Sequence, residues 1–204
     1  MKTFVGFALV LVLVGCKVNA PYVSDNLQNQ TQFHQRIAIL PFVVTFNDEY
    51  KEGQNRRGRK SASYWQEQER LAGLDLQKEL FITLAKRVEK GKLEKVIQDF
   101  VSTNKALAEA GIKIQELPTL NRADLCRVLN VDALITGSTQ IVVYPFGFGG
   151  PGQGGATTQA RLFDGGSGEL LWSKELSQRP TSGMDTPKRL GTSTVQELAK
   201  LLPY

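Results

Sequence analysis

Few residues in this chain are of a type and spacing that could do chemistry. Of its two cysteines, Cys16 closes the run Leu13-Val14-Gly15-Cys16, which follows an apolar stretch from Phe4 to Val14 preceded by one cation, Lys2. A stretch of that length is too short for a permanent membrane span and fits the core of a secretory signal peptide. The four residues resemble a bacterial lipobox, in which the cysteine becomes the lipidated first residue of the mature chain. Lys17 follows it, not the aspartate that marks inner-membrane retention in enterobacterial lipoproteins, so an outer-membrane, periplasm-facing anchor is the expectation. Cys126 has no intrachain partner and sits among Leu125, Val128 and Leu129, the setting of a buried, inert thiol.

The remaining candidates fall short of a reaction. Gly147-Phe-Gly-Gly-Pro-Gly-Gln-Gly-Gly155 lacks the Gly-Lys-Ser/Thr of a phosphate loop and leads into strand sequence, so it reads as a hairpin tip. Gly165-Gly-Ser-Gly168 is followed by Glu169 and no helix, which fails the nucleophile-elbow pattern. His34 is the sole histidine and lies in a stretch without periodicity, where nothing would hold it against a nucleophile or a metal; Ser-His-Asp hydrolysis and histidine-rich zinc sites are set aside on that ground. The carboxylate pairs Asp48 with Glu49 and Glu67 with Glu69 read as solvated surface. Two stretches invite contact instead of catalysis. Tyr144, Phe146 and Phe148 make an aromatic tip, and Arg56-Arg57-Gly58-Arg59-Lys60 is a basic loop suited to anionic headgroups or an acidic partner. No catalytic residue, metal ligand or cofactor other than the lipid on Cys16 is expected.

The elements that must position these residues follow from length and pattern. The chain has 204 residues with 41% hydrophobic and 22% charged content, enough for one globular domain behind a targeting segment. Removing Met1 to Gly15 takes away Lys2 and leaves 24 basic and 20 acidic residues, a mild net +4 that gives no reason to invoke nucleic acid. The expected divisions are a signal peptide over 1–15, the lipidated cysteine and a flexible tether over 16–35, and one periplasmic domain over 36–204. Arg36 to Val44 is a continuous apolar strand with Pro41 at its end or at a bulge, and 47–61 an exposed loop. Ser63 with Gln66 forms a capping box for a long helix whose buried face carries Leu74, Phe81, Leu84, Ala85 and Val88, and which ends at Gly91. A short strand over Leu93 to Ile97, a helix over Ser102 to Ala110, and a helix capped by Asn121 and stopped by Asn130 come next. Three β-rich runs, Asp132 to Tyr144, Thr157 to Phe163 and Leu170 to Leu176, form an antiparallel meander, and a last helix starts at Thr186-Pro187 with Leu190, Thr194, Leu198 and Leu201 inward. The fold class is α+β: a small mixed sheet with a C-terminal antiparallel meander, flanked by amphipathic helices.

Several blocks then coincide. Ile37-Ala-Ile-Leu-Pro-Phe42, Leu129-Asn-Val-Asp-Ala-Leu-Ile-Thr-Gly137 and Ala160-Arg-Leu-Phe-Asp-Gly-Gly-Ser-Gly-Glu-Leu-Leu-Trp-Ser173 resemble the blocks of a bacterial envelope superfamily. It includes the curli secretion channel lipoprotein, the lipoprotein activator of a bifunctional penicillin-binding protein, and the N-terminal domain of the TolB type. Asn130 stands where the family's first block has Gly, and Ser167 where Thr is usual. The resemblance implies a non-enzymatic accessory or adaptor role in envelope assembly, secretion or peptidoglycan-synthase regulation, with a protein partner in the envelope and a homo-oligomer as one form. A subunit of an outer-membrane secretion pore is an alternative, which only the 140–162 hairpin could serve. An enzyme or cofactor-binding protein is the other.

Overall fold

The computed structural model describes residues 20–55, 58, 60–143, 154–181 and 185–204. In chain order the elements are β1 (Tyr22–Val23), α1 (Leu27–Thr31), β2 (Arg36–Ile39), β3 (Val43–Phe46), α2 (Asp48–Asn55), α3 (Ala62–Glu89), β4 (Val96–Ile97), α4 (Phe100–Glu109), a 3-10 turn (Ile114–Glu116), α5 (Arg122–Leu129), β5 (Ala133–Val143), β6 (Gly154–Asp164), β7 (Leu170–Gln178) and α6 (Pro187–Leu201). The class is α+β: among the described residues, six helices surround one mixed sheet of order β1-β7-β6-β5-β2-β4, in which β3 also pairs with β5. β5, β6 and β7 form the expected antiparallel meander, and β2 and β3 run parallel to β5.

The apolar run that begins at Arg36 is two strands and not one. Ile39 pairs with Ile135 and Val43 with Ser138, so the first chain advances four residues while β5 advances three. The extra residue falls around Pro41, which has no N–H to give a ladder. It also corrects the parity, since Ile37 and Ile39 before the break and Phe42 and Val44 after it all enter the same core. Phe42 fills the break. A Cβ at Gly137 would lie 2.1 Å from its ring, and one at Gly73, in the middle of α3, would lie 2.0 Å from its carbonyl oxygen. The Phe42 N–H donates to the Gly73 carbonyl at 3.2 Å, so helix and sheet touch here backbone to backbone.

α3 and α6 cover one sheet face. Its core holds Leu76, Leu80 and Leu84 from α3, and Leu190, Val195, Leu198 and Ala199 from α6, against Ile135, Leu162 and Trp172. Burying such side chains contributes about 1.5–3 kcal/mol each. The inward face of α3 is therefore Leu76, Leu80 and Leu84; of the expected set only Leu84 is fully buried, and Val88 is exposed. On α6, Leu201 is likewise exposed while Leu202 is buried. α4 and α5 cover only the other face's near half, around Ala38, Leu40 and Leu134. Beyond them that face carries Ser138, Gln140, Thr157 and Gln159 on paired strands.

Other boundaries moved for local reasons. The stretch 47–61, expected to be loop, contains α2, whose first turn is acidic as a helix N-terminus favours. α3 starts two residues early because Ser61, not Ser63, accepts the Tyr64 N–H. Asp99 caps α4 two residues before the expected start, and β4 has only two residues. Asn121 caps α5 and Asn130 ends it with φ 52°, both as read from the sequence. The β6–β7 turn closes with Gly168 at φ +73°.

The segment 20–35 differs most from expectation: it is part of the folded body. β1 pairs antiparallel with β7, Tyr22 opposite Ser173 and Val23 opposite Trp172. Ser24 Oγ donates to Glu169 at 2.6 Å. Lys95 Nζ donates to the carbonyls of Thr31 and His34, and Asp132 accepts the Gln35 and Arg36 N–H groups. A flexible tether would leave all of these groups to water.

Alanine in the middle of a helix normally gains up to about 1 kcal/mol over glycine. Gly73→Ala should instead destabilise by about 1–3 kcal/mol in urea unfolding, because the new methyl meets backbone that cannot yield. A neutral or stabilised variant would contradict the packing.

Candidate functional site

Two ends of the sheet gather polar and aromatic side chains. At the end where β5 and β6 open, Phe46 pairs with Ile141 and its ring lies 6.2 Å from Trp65. Tyr50 of α2 stands 5.4 Å from Phe46 and 6.0 Å from Trp65, and Tyr64 stands 5.2 Å from Trp65. Lys60 rests against this cluster, its Nζ 4.4 Å from the Tyr64 ring centre and donating to the Tyr64 hydroxyl at 3.1 Å. Such cation–π contacts are worth about 0.5–1 kcal/mol where exposed. Burial pushes the Tyr50 phenol up, partly offset by the Lys60 charge. Trp65 is 8% exposed and its Nε1–H has no hydrogen-bond partner among the described residues. Beside the cluster lies a groove of about 350 Å3 lined by Phe46, Tyr50, Leu71, Ala72 and Ile141, with the Asp75–Lys188 ion pair on its rim.

Of the residues singled out from the sequence, Lys60 is therefore engaged by its own neighbours and is not a free cation. Arg56, Arg57, Arg59, Tyr144, Phe146, Phe148 and Cys16 lie outside the described residues. The residues that flank them are described. Asn55 and Lys60 bracket the basic loop, and the Lys60 N–H donates to Asn55 Oδ1. Val143 and Gly154 face each other at the mouth of the aromatic hairpin. Both pairs of flanking residues are at the same end of the sheet. The antiparallel register of β1 on β7 brings the N-terminal chain in from the Gln178 side, which is also that end, because Gln178 pairs with Ala156 near the hairpin mouth.

At the opposite end stands a buried polar clasp that sequence reasoning placed in a flexible tether. His34 is 2% exposed; its Nε2 lies 3.0 Å from Asp164 Oδ1 and its Nδ1 2.8 Å from the Tyr204 hydroxyl. Burial works to raise the Asp164 carboxyl. Bonds from His34 and from the Ser167 amide and hydroxyl outweigh it, so Asp164 is held below the ordinary carboxylate range. Ionised, Asp164 can only accept, which puts the proton of a neutral imidazole on Nε2 and leaves Nδ1 to accept from Tyr204. Burial first, then the charges of Asp164 and Asp132, push the Tyr204 phenol up and keep it a donor.

The clasp therefore resembles a catalytic triad only in residue types. Both imidazole nitrogens are spent internally, so neither can take a proton from a substrate. Burial, then Asp164 and Asp132, push the Cys126 thiol up to about 12, and it is no thiolate at neutral pH. Among the described residues no three His, Cys, Asp or Glu side chains converge as a metal would need, and no helix is long and apolar enough to cross a membrane. The arrangement ties the N-terminal segment, the β6–β7 turn and the C-terminal residue to one another. A signal for it exists only in the residue types, since its members lie 130 and 170 positions from His34.

No family model matches the chain and no curated protein is similar in sequence. Solved structures similar to it include the lipoprotein GNA1162 from Neisseria meningitidis, at 16% identity and TM-score 0.46, covering 83% of this chain and 99% of that one. The PelC dodecamer from Paraburkholderia phytofirmans matches at 12% identity and TM-score 0.43, covering 81% and 86%. The LpoB C-terminal domain from Salmonella enterica matches at 12% and 0.39, covering 71% and 82%.

The clasp has a pH signature. A carboxyl with a lowered folded pKa contributes stability that is present above its unfolded value, near 3.9, and is lost as pH falls through the folded one. Asp164→Asn should therefore be less stable than the parent at pH 6–7, by about 1–3 kcal/mol as its buried partners lose a charged acceptor. The gap should narrow in acid. Thermal unfolding from pH 7 to pH 2 reads both, and parallel profiles for the two proteins would contradict the assignment.

Proposed function

We propose that this protein is a lipid-anchored accessory subunit of the bacterial envelope, acting by contact and not by catalysis. The observation that carries this reading is the Leu13-Val14-Gly15-Cys16 run, which precedes Ala20, the first described residue of the fold, by only four positions. Four residues reach at most roughly 14 Å, so an acylated Cys16 would hold the domain against its bilayer. β1 starts from the hairpin end, where Asn55 and Lys60 flank the basic loop and Val143 and Gly154 flank the aromatic hairpin. That end is accordingly the one set to meet headgroups or a membrane-embedded partner.

Three further features support a contact role. The clasp spends its titratable groups internally and leaves no nucleophile activated. The described arms of the β5–β6 hairpin pack one face under α6 and present polar residues on the other, which fits a strand pair committed to the domain better than one released to line a pore. The mature net charge of +4 favours an anionic surface or an acidic partner. The finer reading, an outer-membrane anchor with the domain in the periplasm, rests on Lys17 after the cysteine.

Two substitutions test this in cells and in vitro. Cys16→Ser should move the protein from the membrane pellet to the soluble fraction; retention in the pellet would contradict the anchor. Arg56→Glu, Arg57→Glu and Arg59→Glu together, in the unlipidated protein, should weaken binding to anionic vesicles at low salt, since each cation near such a surface contributes about 1 kcal/mol. Unchanged binding would remove the loop from the contact.

A further inference from the structure

The uncovered half of the second sheet face contains a cavity of about 170 Å3, between the Pro41 bulge, the Leu117-Pro118 turn and the paired strands β5 and β6. Two arginines line it, Arg122 and Arg161. Neither has a salt-bridge partner among the described residues, while Ser138 and Gln159 complete the polar side and no carboxylate lines the space. Arg122 is fixed in place: it donates to the Leu117 carbonyl at 2.6 Å and the Pro118 carbonyl at 3.0 Å, and lies 5.2 Å from the centre of the Phe163 ring. Arg161, on the open strand face, donates to Gln159 Oε1. Burial first, and then the like charge of Arg161, lower the Arg122 pKa from its ordinary value. Unneutralised like charges beside apolar surface are unfavourable, and an anion placed between them would relieve both.

We propose that this cavity is a docking site for an acidic side chain, with its neighbouring aliphatic residue, presented by a polypeptide partner. The chemistry selects the carboxylate: two arginines and no carboxylate line the space, Ser138 adds a hydroxyl, and Pro41 with Leu117 gives an aliphatic part of the lining. The size selects the polypeptide. Pockets for whole small ligands run to about 300–1,000 Å3, whereas this one holds a single anchoring side chain. The inference rests on the accessory-subunit reading only in assigning the carboxylate to a protein; the site itself is independent of the lipid anchor.

The test is an NMR titration of the full mature chain, with Cys16→Ser to keep it soluble, against acetyl-Ala-Glu-Leu amide, its Gln counterpart and butyrate. The Glu peptide should shift the amides of Ser138 and Gln159 and the Nε of Arg161, the Gln peptide should not, and added salt should weaken the response. Arg161→Gln removes one donor group without touching the bonds that hold Arg122, and should weaken binding about fivefold. Arg122→Lys, which keeps the charge but loses the planar fork, should weaken it as well while the amide spectrum stays folded. Equal response to the Gln peptide, no response, or indifference to Arg161→Gln would overturn the site. Butyrate binding as tightly as the Glu peptide would overturn the polypeptide assignment. None of these results bears on whether Cys16 is acylated.

Discussion

Phe42 occupies room that two side chains would otherwise take. Because Gly137 on β5 and Gly73 on α3 both lack a Cβ, the ring can lie flat against the central strand while the helix backbone comes within hydrogen-bond reach of the chain beside it. Everything larger follows from this contact. It sets the height of α3 over the sheet, and it lets one apolar run pair twice with β5, first as β2 and then as β3, with a one-residue break between them. The break divides the sheet into a near half covered on both faces and an outer half covered on one.

That division explains where the molecule keeps its open chemistry. The near half ends in the His34–Asp164–Tyr204 clasp, a closed polar centre that binds three distant pieces of chain together. In the outer half, the aromatic cluster around Trp65 sits on the helix-covered side at the hairpin mouth, and the two arginines border a small cavity on the bare side.

Much of this could be read from residue order, and the failures have physical causes. The meander was legible because β-rich runs of strand length alternate with glycine-rich turns, and α5 because Asn121 and Asn130 mark its ends by local backbone chemistry. The inward face of α3 was misread: a helix flanked by sheet, α4 and α6 has apolar residues around much of its girth, and no single stripe stands out. Residues 20–35 looked like a tether because they carry no period. What orders them is a set of polar bonds to Lys95, Asp132, Asp164, Glu169 and Tyr204, and composition does not show such long-range pairing. His34 was misjudged for the same reason. The arginine pair escaped notice because Arg122 and Arg161 are 39 positions apart in the chain and meet only when α5 packs against the sheet.

Ala20, the first residue whose place in the fold is described, lies only four positions after the cysteine, and the proposed role depends on that short distance. Mass spectrometry of the intact mature protein, extracted from native membranes with detergent, tests it most directly. The account predicts a chain that begins at Cys16 and carries the added mass of a diacylglyceryl group, with or without a further acyl chain on its amine. An unmodified chain, or one that begins at any other residue, would contradict it.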